Sequence, residues 1–86
     1  MYKLEISNTA ARALERFYYS DRKLYSRLIN VIESLPQDIH QGKQLKGQFR
    51  GDFSVRMGGY RIIYTIQREK LVVFIIDVGH RKSIYR

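Results

Sequence analysis

Arg56 and Arg61 flank a Gly-Gly pair at the spacing of a tight β-hairpin. Gly58-Gly59 joins two β-prone runs, and two glycines accept the positive φ angles that a two-residue hairpin turn requires. Closing the hairpin there places Arg56 opposite Arg61 on one face of a sheet, with Ser54 beside them, because side chains alternate with a period of two. Two opposed guanidinium groups on an open sheet face predict an anion site.

The C-terminus adds further candidates for chemistry. Gly79-His80-Arg81-Lys82 directly follows an apolar run, so these side chains are expected at the end of a strand, near the hairpin face. Neutral His80 could accept a proton, although a single histidine is most often a plain surface residue. Tyr85 would by composition alone be a frayed end.

These residue types together fit metal-free phosphodiester transfer in RNA. That reaction requires a base for the 2′-OH, cations for the phosphorane oxygens and an acid for the 5′-oxygen. The carboxylates of the second half, Asp52, Glu69 and Asp77, are scattered over three segments, so no metal site is expected. No glycine-rich phosphate loop precedes a helix, so no cofactor is expected. Alternatively, the arginines are solvated or paired with Asp77 or Glu69, and the face is structural.

The charge distribution favours a polyanionic partner. The chain has 86 residues and a net charge of +8; residues 1–41 carry six basic and five acidic side chains, whereas residues 42–86 carry ten and three. Phosphate backbones attract such a surface through counterion release, and a membrane surface would usually require a basic amphipathic helix, which the second half lacks. Beside Ser54, the residues expected to contact RNA are Lys43, Lys46, Arg50, Lys82 and Arg86.

Composition narrows the class of protein. The absence of cysteine excludes disulfide, zinc-ribbon and thiol chemistry, and the apolar runs are far shorter than the roughly 20 residues of a membrane span. We therefore expect a cytoplasmic protein with no membrane partner. A chain of this length buries only somewhat over ~60% of its unfolded surface, which predicts a single domain over residues 1–86.

The order of periodic segments predicts an α+β fold, β-α-α-β-β-β, with a helical hairpin packed on one face of a small, mostly antiparallel sheet. Period-two alternation predicts a first strand, and two helical stripes, each preceded by cap residues, predict two helices, of which the second ends at Pro36. The segments are a strand at 1–6, helices at 10–18 and 21–35, a loop at 37–51, and strands at 53–57, 60–66 and 71–78.

The hairpin also has a face that the helices should cover. Its residues are Phe53, Val55, Met57, Tyr60, Ile62, Tyr64 and Ile66. A non-catalytic RNA-binding module would instead be expected to place stacking aromatics on the open face.

Four blocks of residues carry a resemblance to a known family. They are Leu45-Lys46-Gly47, Phe53-Ser54-Val55-Arg56, Gly59-Tyr60-Arg61-Ile62-Ile63-Tyr64, and Val78-Gly79-His80-Arg81 followed by Tyr85. Their order and spacing resemble the RelE/ParE superfamily of toxin–antitoxin toxins over essentially the whole chain, and look like its RelE branch. The resemblance implies a ribosome-dependent endoribonuclease that cuts mRNA in the A site by 2′-OH attack, without metal, and that a cognate RelB-like antitoxin holds inactive.

The resemblance also implies roles for individual residues. Arg61 matches the arginine that steadies the scissile phosphate, and Arg81 the one that stabilises or protonates the leaving oxygen. Tyr85 matches the tyrosine that stacks on or orients the nucleotide. Arg56 and Ser54 stand where relatives carry two lysines. Because arginine is rarely deprotonated, two alternatives remain for activating the 2′-OH: His80 acts as the general base, or stabilisation of the transition-state charge together with Tyr85 is sufficient.

The ParE branch is the rival, because it shares the fold but inhibits DNA gyrase without cleaving RNA. ParE-like chains usually lack the basic and tyrosine cluster found here, which favours the RelE interpretation. An acidic to amphipathic antitoxin segment is expected to cover apolar positions of the helical hairpin such as Tyr18, Tyr25 and Ile29.

Overall fold

Two helices pack against one face of a mixed sheet, in a computed structural model that describes residues 1–47 and 51–84. The elements are β1 (Lys3–Ile6), α1 (Asn8–Ser20), α2 (Arg22–Ser34), a 3-10 turn (Leu35–Gln37), β2 (Lys43–Gln44), β3 (Asp52–Met57), β4 (Tyr60–Gln67), β5 (Val72–His80) and α3 (Arg81–Ile84). Within the described residues the strand order is β1-β5-β4-β3-β2; β1 runs parallel to β5 and the other pairs are antiparallel. The predicted α+β class and element order are confirmed.

Local capping explains why the helical hairpin forms. The Ser7 hydroxyl accepts a hydrogen bond from the Ala10 N–H (3.0 Å), and the Asp21 carboxylate accepts one from the Leu24 N–H (3.1 Å). Each bond satisfies a backbone donor that the first turn of a helix leaves unpaired. Asp21 thus ends α1 and begins α2 at one residue, which folds the two helices back on each other.

The core lies between the helices and the predicted covered face of the sheet. Val55, Ile62 and Tyr64 are buried in it, and the other four residues of the predicted set pack against it. Alternation along β3 and β4 therefore leaves Ser54, Arg56 and Arg61 on the opposite face. None of the helices in the described part of the chain is long and apolar enough to span a membrane.

Three local features differ from the sequence-based expectations. The predicted loop contains the short strand β2, which adds an edge to the sheet beside β3. Leu71, expected to begin the last strand, lies in the preceding turn with a φ of 55°. The last strand extends beyond Val78 to His80, and α3 follows it directly.

Candidate functional site

The opposed arginines form the centre of the candidate site. Arg56 faces Arg61 across the β3–β4 ladder, and Met57 faces Tyr60 at the turn, which is the predicted register. Arg56 is exposed, whereas Arg61 is half-buried and its Nε atom is inaccessible to solvent. Like charges directly opposite each other in a sheet repel by up to about 1 kcal/mol, so a bound anion between them would relieve a repulsion that destabilises the free protein.

An open pocket of about 570 Å³ surrounds this pair. Its lining residues are Gln41, Lys43, Ser54, Val55, Arg56 and Arg61. Lys43 pairs with Ser54 in the β2–β3 ladder, so the short edge strand brings a third cation to the arginines. Three positive side chains from three strands around a recessed serine can bind a phosphate or stabilise a pentacoordinate phosphorane.

Two residues of this pocket were not predicted from the sequence: Val55, which was expected only on the covered face, and Gln41. Gln41 precedes β2 in a segment interpreted only as a polar loop, and no periodicity connects it to the hairpin. Lys46, which was predicted to contact RNA, is exposed just after β2 but does not line the pocket.

His80 lies apart from the arginines, which corrects its expected position beside the hairpin face. In the β4–β5 ladder His80 faces Tyr60, whereas Gly79 faces Arg61. The His80 ring makes an edge contact with the Tyr60 ring (centroids 5.3 Å apart), and a Cβ placed on Gly59 would lie 3.1 Å from its Nε2. Since successive strand residues point to opposite faces, His80 is on the helix-covered side of the sheet.

Arg81 and Lys82 begin the short helix that follows β5, and both are exposed. The Arg81 N–H donates to the Gly59 carbonyl oxygen (2.9 Å), and the Lys82 N–H donates to His80 Nδ1 (3.2 Å). These bonds fix the start of the helix against the hairpin turn. Arg81 follows Gly79, the residue opposite Arg61, by two positions. Arg50, Tyr85 and Arg86 lie outside the described residues.

Asp52 places an acidic group on the same strand face as Ser54 and Arg56. Burial raises the pKa of Asp52, and a hydrogen bond with Thr65 acts in the opposite direction. Because the pKa of Asp52 is higher in the folded than in the unfolded chain, the folded state favours the protonated carboxyl group. Its contribution to stability is complete below the unfolded pKa and is lost as the pH rises through the folded pKa.

We therefore expect Asp52→Asn to raise the melting temperature slightly at pH 7, with a difference that shrinks below about pH 4, where both chains are neutral at this position. Thermal unfolding at the two pH values measures this. A melting temperature below that of the wild type at pH 7 would show that the carboxylate's bond with Thr65 outweighs its burial.

A second surface feature is an apolar groove formed by α1, α2 and the end of β1. Its volume is about 340 Å³, and its lining residues are Ile6, Ala11, Leu14, Glu15, Tyr18, Tyr19, Tyr25 and Ile29. Tyr18 contacts Tyr19 and Tyr25 edge to face, at centroid distances of 5.2 and 5.1 Å. Tyr19 is 78% exposed and Ile6 is 38% exposed, so the groove presents unusually large apolar side chains to solvent.

Comparison with known proteins identifies the family. A family model described as the ParE toxin of the type II toxin–antitoxin system, parDE, matches residues 4–85. Toxin RelG of Mycobacterium tuberculosis is 42% identical over an alignment of 91 positions, which covers 99% of this chain and 97% of that protein. The mRNA interferase toxin RelE of Escherichia coli is 32% identical over 60 residues, which cover 70% of this chain and 61% of that protein.

The fold agrees with these sequence matches. The structure of the toxin–antitoxin complex RelBE2 from Mycobacterium tuberculosis contains a chain that matches with a TM-score of 0.78 and 28% identity, over 93% of this chain and 98% of that one. The same small sheet and helical hairpin thus recur in a relative that is similar in sequence along nearly its full length. This protein belongs to the RelE/ParE superfamily and is a toxin of the type II toxin–antitoxin class.

Proposed function

We propose that this toxin is a ribosome-dependent endoribonuclease that cleaves mRNA in the A site by attack of a 2′-OH on the adjacent phosphate, without a metal ion. The observation that carries the proposal is the opposed Arg56 and Arg61 pair, with Lys43 beside it, on the open face of the sheet. A relative named as an mRNA interferase supports it.

The charges of the pocket suit the transition state of this reaction. Attack of the 2′-oxygen on phosphorus builds negative charge on the phosphorane oxygens, which positive side chains of the pocket would stabilise. Arg61, half-buried, would steady the scissile phosphate, while exposed Arg56 and Lys43 would meet the flanking backbone. Lys46, Lys82, Arg50 and Arg86 would add contacts to mRNA or ribosomal RNA.

The separation of His80 from the arginine pair bears on how the 2′-OH is activated. Arginine remains protonated, so the arginine pair supplies charge but not a base. Because His80 faces Tyr60 on the covered side, we favour transition-state stabilisation assisted by Tyr85 over a histidine base.

Arg81 would act on the leaving 5′-oxygen, either by stabilising it or by donating a proton. We expect Arg81→Ala to lower the cleavage rate by about 100-fold or more with little change in melting temperature. The backbone bond to Gly59 survives the substitution, and the side chain is exposed. Single-turnover cleavage of mRNA on programmed ribosomes, with thermal unfolding of the same preparations, measures both effects; a large loss of stability would instead make Arg81 a structural residue.

The partner proposed for the apolar groove is an acidic to amphipathic segment of a cognate RelB-like antitoxin. A relative of this fold was solved as a toxin–antitoxin complex. Burying Tyr18, Tyr25 and Ile29 would remove apolar surface from water, and acidic residues of the segment would offset the net charge of +8. The site of action proposed is the cytoplasm, where ribosomes translate.

Primer extension on mRNA translated with the purified toxin tests the proposed function. We expect discrete cleavage products within codons that occupy the A site, and none when ribosomes are omitted. The second candidate is a ParE-like gyrase inhibitor, because the matched family model is described as a ParE toxin. It predicts intact mRNA together with inhibition of DNA gyrase supercoiling. Binding to RNA without either activity would indicate a non-catalytic module.

A further inference from the structure

A tyrosine on the covered side of the sheet contacts the segment that leads into the cationic pocket on the other side. Tyr64 is fully buried in β4 and stacks on Phe53 of β3, with ring centroids 5.4 Å apart and an angle of 18° between the planes. Its hydroxyl donates a hydrogen bond to the Ile39 carbonyl oxygen (2.8 Å) and accepts one from the Gly42 N–H (2.9 Å). One side chain thus holds both ends of the turn that precedes β2.

The contact at Gly42 is too close for a larger residue. A Cβ placed on Gly42 would lie 2.9 Å from both Cε1 and the hydroxyl of Tyr64, and 3.1 Å from the Ser54 carbonyl carbon. Real Cβ atoms essentially never approach other atoms below 3.0 Å, so an alanine here would push the turn away from the sheet. Gly42 is therefore required by the close approach to Tyr64.

The strand that this turn begins is held in the sheet by β3, through a two-residue ladder and a hydrogen bond from the Leu45 N–H to the Asp52 carbonyl oxygen (2.8 Å). β2 is two residues long and lies at the edge of the sheet, where it pairs with β3 alone. Short edge strands with few ladder bonds open readily. Yet β2 carries Lys43, and the turn before it carries Gln41, which together form one wall of the pocket around Arg56 and Arg61.

We infer that Tyr64 is a positioning residue for RNA binding: its buried hydroxyl holds the turn at residues 39–42, and through it places Lys43 against the RNA backbone that flanks the scissile phosphate. This inference rests on the proposed function and adds to it a residue on the opposite face from the substrate. Because Tyr64 acts through Lys43, its loss weakens RNA binding and leaves the chemistry at Arg61 in place.

The experiment compares four variants on programmed ribosomes. They are Tyr64→Phe, which keeps the stacked ring; Gly42→Ala, which displaces the same turn from its other side; Lys43→Ala; and Tyr64→Phe combined with Lys43→Ala. Tyr60→Phe is the matched control, since it removes a tyrosine hydroxyl from the same strand, where the ring contacts Phe17 and His80.

We expect Tyr64→Phe and Gly42→Ala to raise KM at least about fivefold while kcat changes less than about twofold, and to lower the slope of log affinity against log salt concentration by about one. The double variant should be no worse than Lys43→Ala, because the hydroxyl acts through that lysine. The inference would be overturned if Tyr64→Phe lowered kcat at unchanged KM. It would also be overturned if the effects of Tyr64→Phe and Lys43→Ala on KM multiplied in the double variant.

Hydrogen exchange separates this inference from the proposed function. In Tyr64→Phe the amides of residues 42–44 should exchange faster than in the wild type and in Tyr60→Phe, whatever the activity of the protein. Unchanged exchange there would overturn the positioning role even if the toxin cleaves mRNA. If the wild type and Tyr60→Phe both leave mRNA intact, the proposed function fails, and the claim about RNA binding fails with it.

Discussion

Arg61→Gln should lower the rate of mRNA cleavage by at least about 100-fold, the scale typical for the loss of one oxyanion-stabilising group. Arg61 lies half-buried on the open face of the sheet and shares the pocket with Arg56 and Lys43. The substitution removes the charge that the phosphorane requires and keeps a polar group in its place. Single-turnover cleavage on programmed ribosomes measures the loss.

The same substitution should leave the melting temperature unchanged or raise it slightly. Arg56 and Arg61 face each other directly, so removal of one charge relieves a repulsion of about 0.5–1 kcal/mol. Arg12→Gln, at an exposed position of α1, is the control for the change in net charge and should cleave as the wild type does. If Arg61→Gln lost several kcal/mol and cleavage fell only with the folded fraction, Arg61 would be a structural residue.

Tyr18→Asp should weaken binding of the cognate antitoxin by about 30-fold or more while leaving cleavage by the free toxin intact. Aromatic anchors in apolar grooves carry much of the energy of such interfaces, and about 2 kcal/mol corresponds to this change in affinity. Tyr18 is 36% exposed and contacts Tyr19 and Tyr25 in the groove. The affinity of the purified cognate antitoxin for each variant is the quantity to measure.

Asn30→Asp provides the matched control for this experiment. It adds the same negative charge to an exposed position of α2 that does not line the groove, so the antitoxin should bind it about as well as the wild type. Equal affinity of the antitoxin for Tyr18→Asp and Asn30→Asp would place the binding surface elsewhere.

Local patterns in the sequence were sufficient for most of the fold. The caps at Ser7 and Asp21 and the Gly-Gly turn each leave a signal in residues that are neighbours along the chain. Alternation from the turn then assigned the two faces of the hairpin, and with them the Arg56 and Arg61 pair. The placement of the central candidate residues thus followed from a period of two counted over a few positions.

The position of His80 depended on a feature that leaves no such signal. In β5, Ile75 faces Tyr64 and Asp77 faces Ile63, so one additional residue lies between consecutive pairs. This bulge shifts the alternation by one position, which turns His80 toward the helices and Gly79 toward Arg61. Strict alternation from Ile75 would have placed His80 on the open face.

Contacts between distant segments were also beyond sequence reasoning. Tyr64 meets Ile39 and Gly42 across more than twenty positions of the chain, and the strand β2 exists only because it pairs with β3. Two polar residues inside a basic, glycine-containing segment give no period from which a strand could be inferred. Lys43 was expected only as one of several RNA contacts, and its position beside the two arginines came from the structure.

The central claim is that the substrate's own 2′-OH attacks the phosphate held by the arginine pair. The most direct test is an mRNA with a single 2′-deoxy substitution at the cleaved nucleotide, placed in the ribosomal A site and compared with the all-ribose message. We predict cleavage of the all-ribose mRNA, with a 2′,3′-cyclic phosphate on the upstream product, and no cleavage at the deoxy position. Equal cleavage of the two messages would contradict the mechanism.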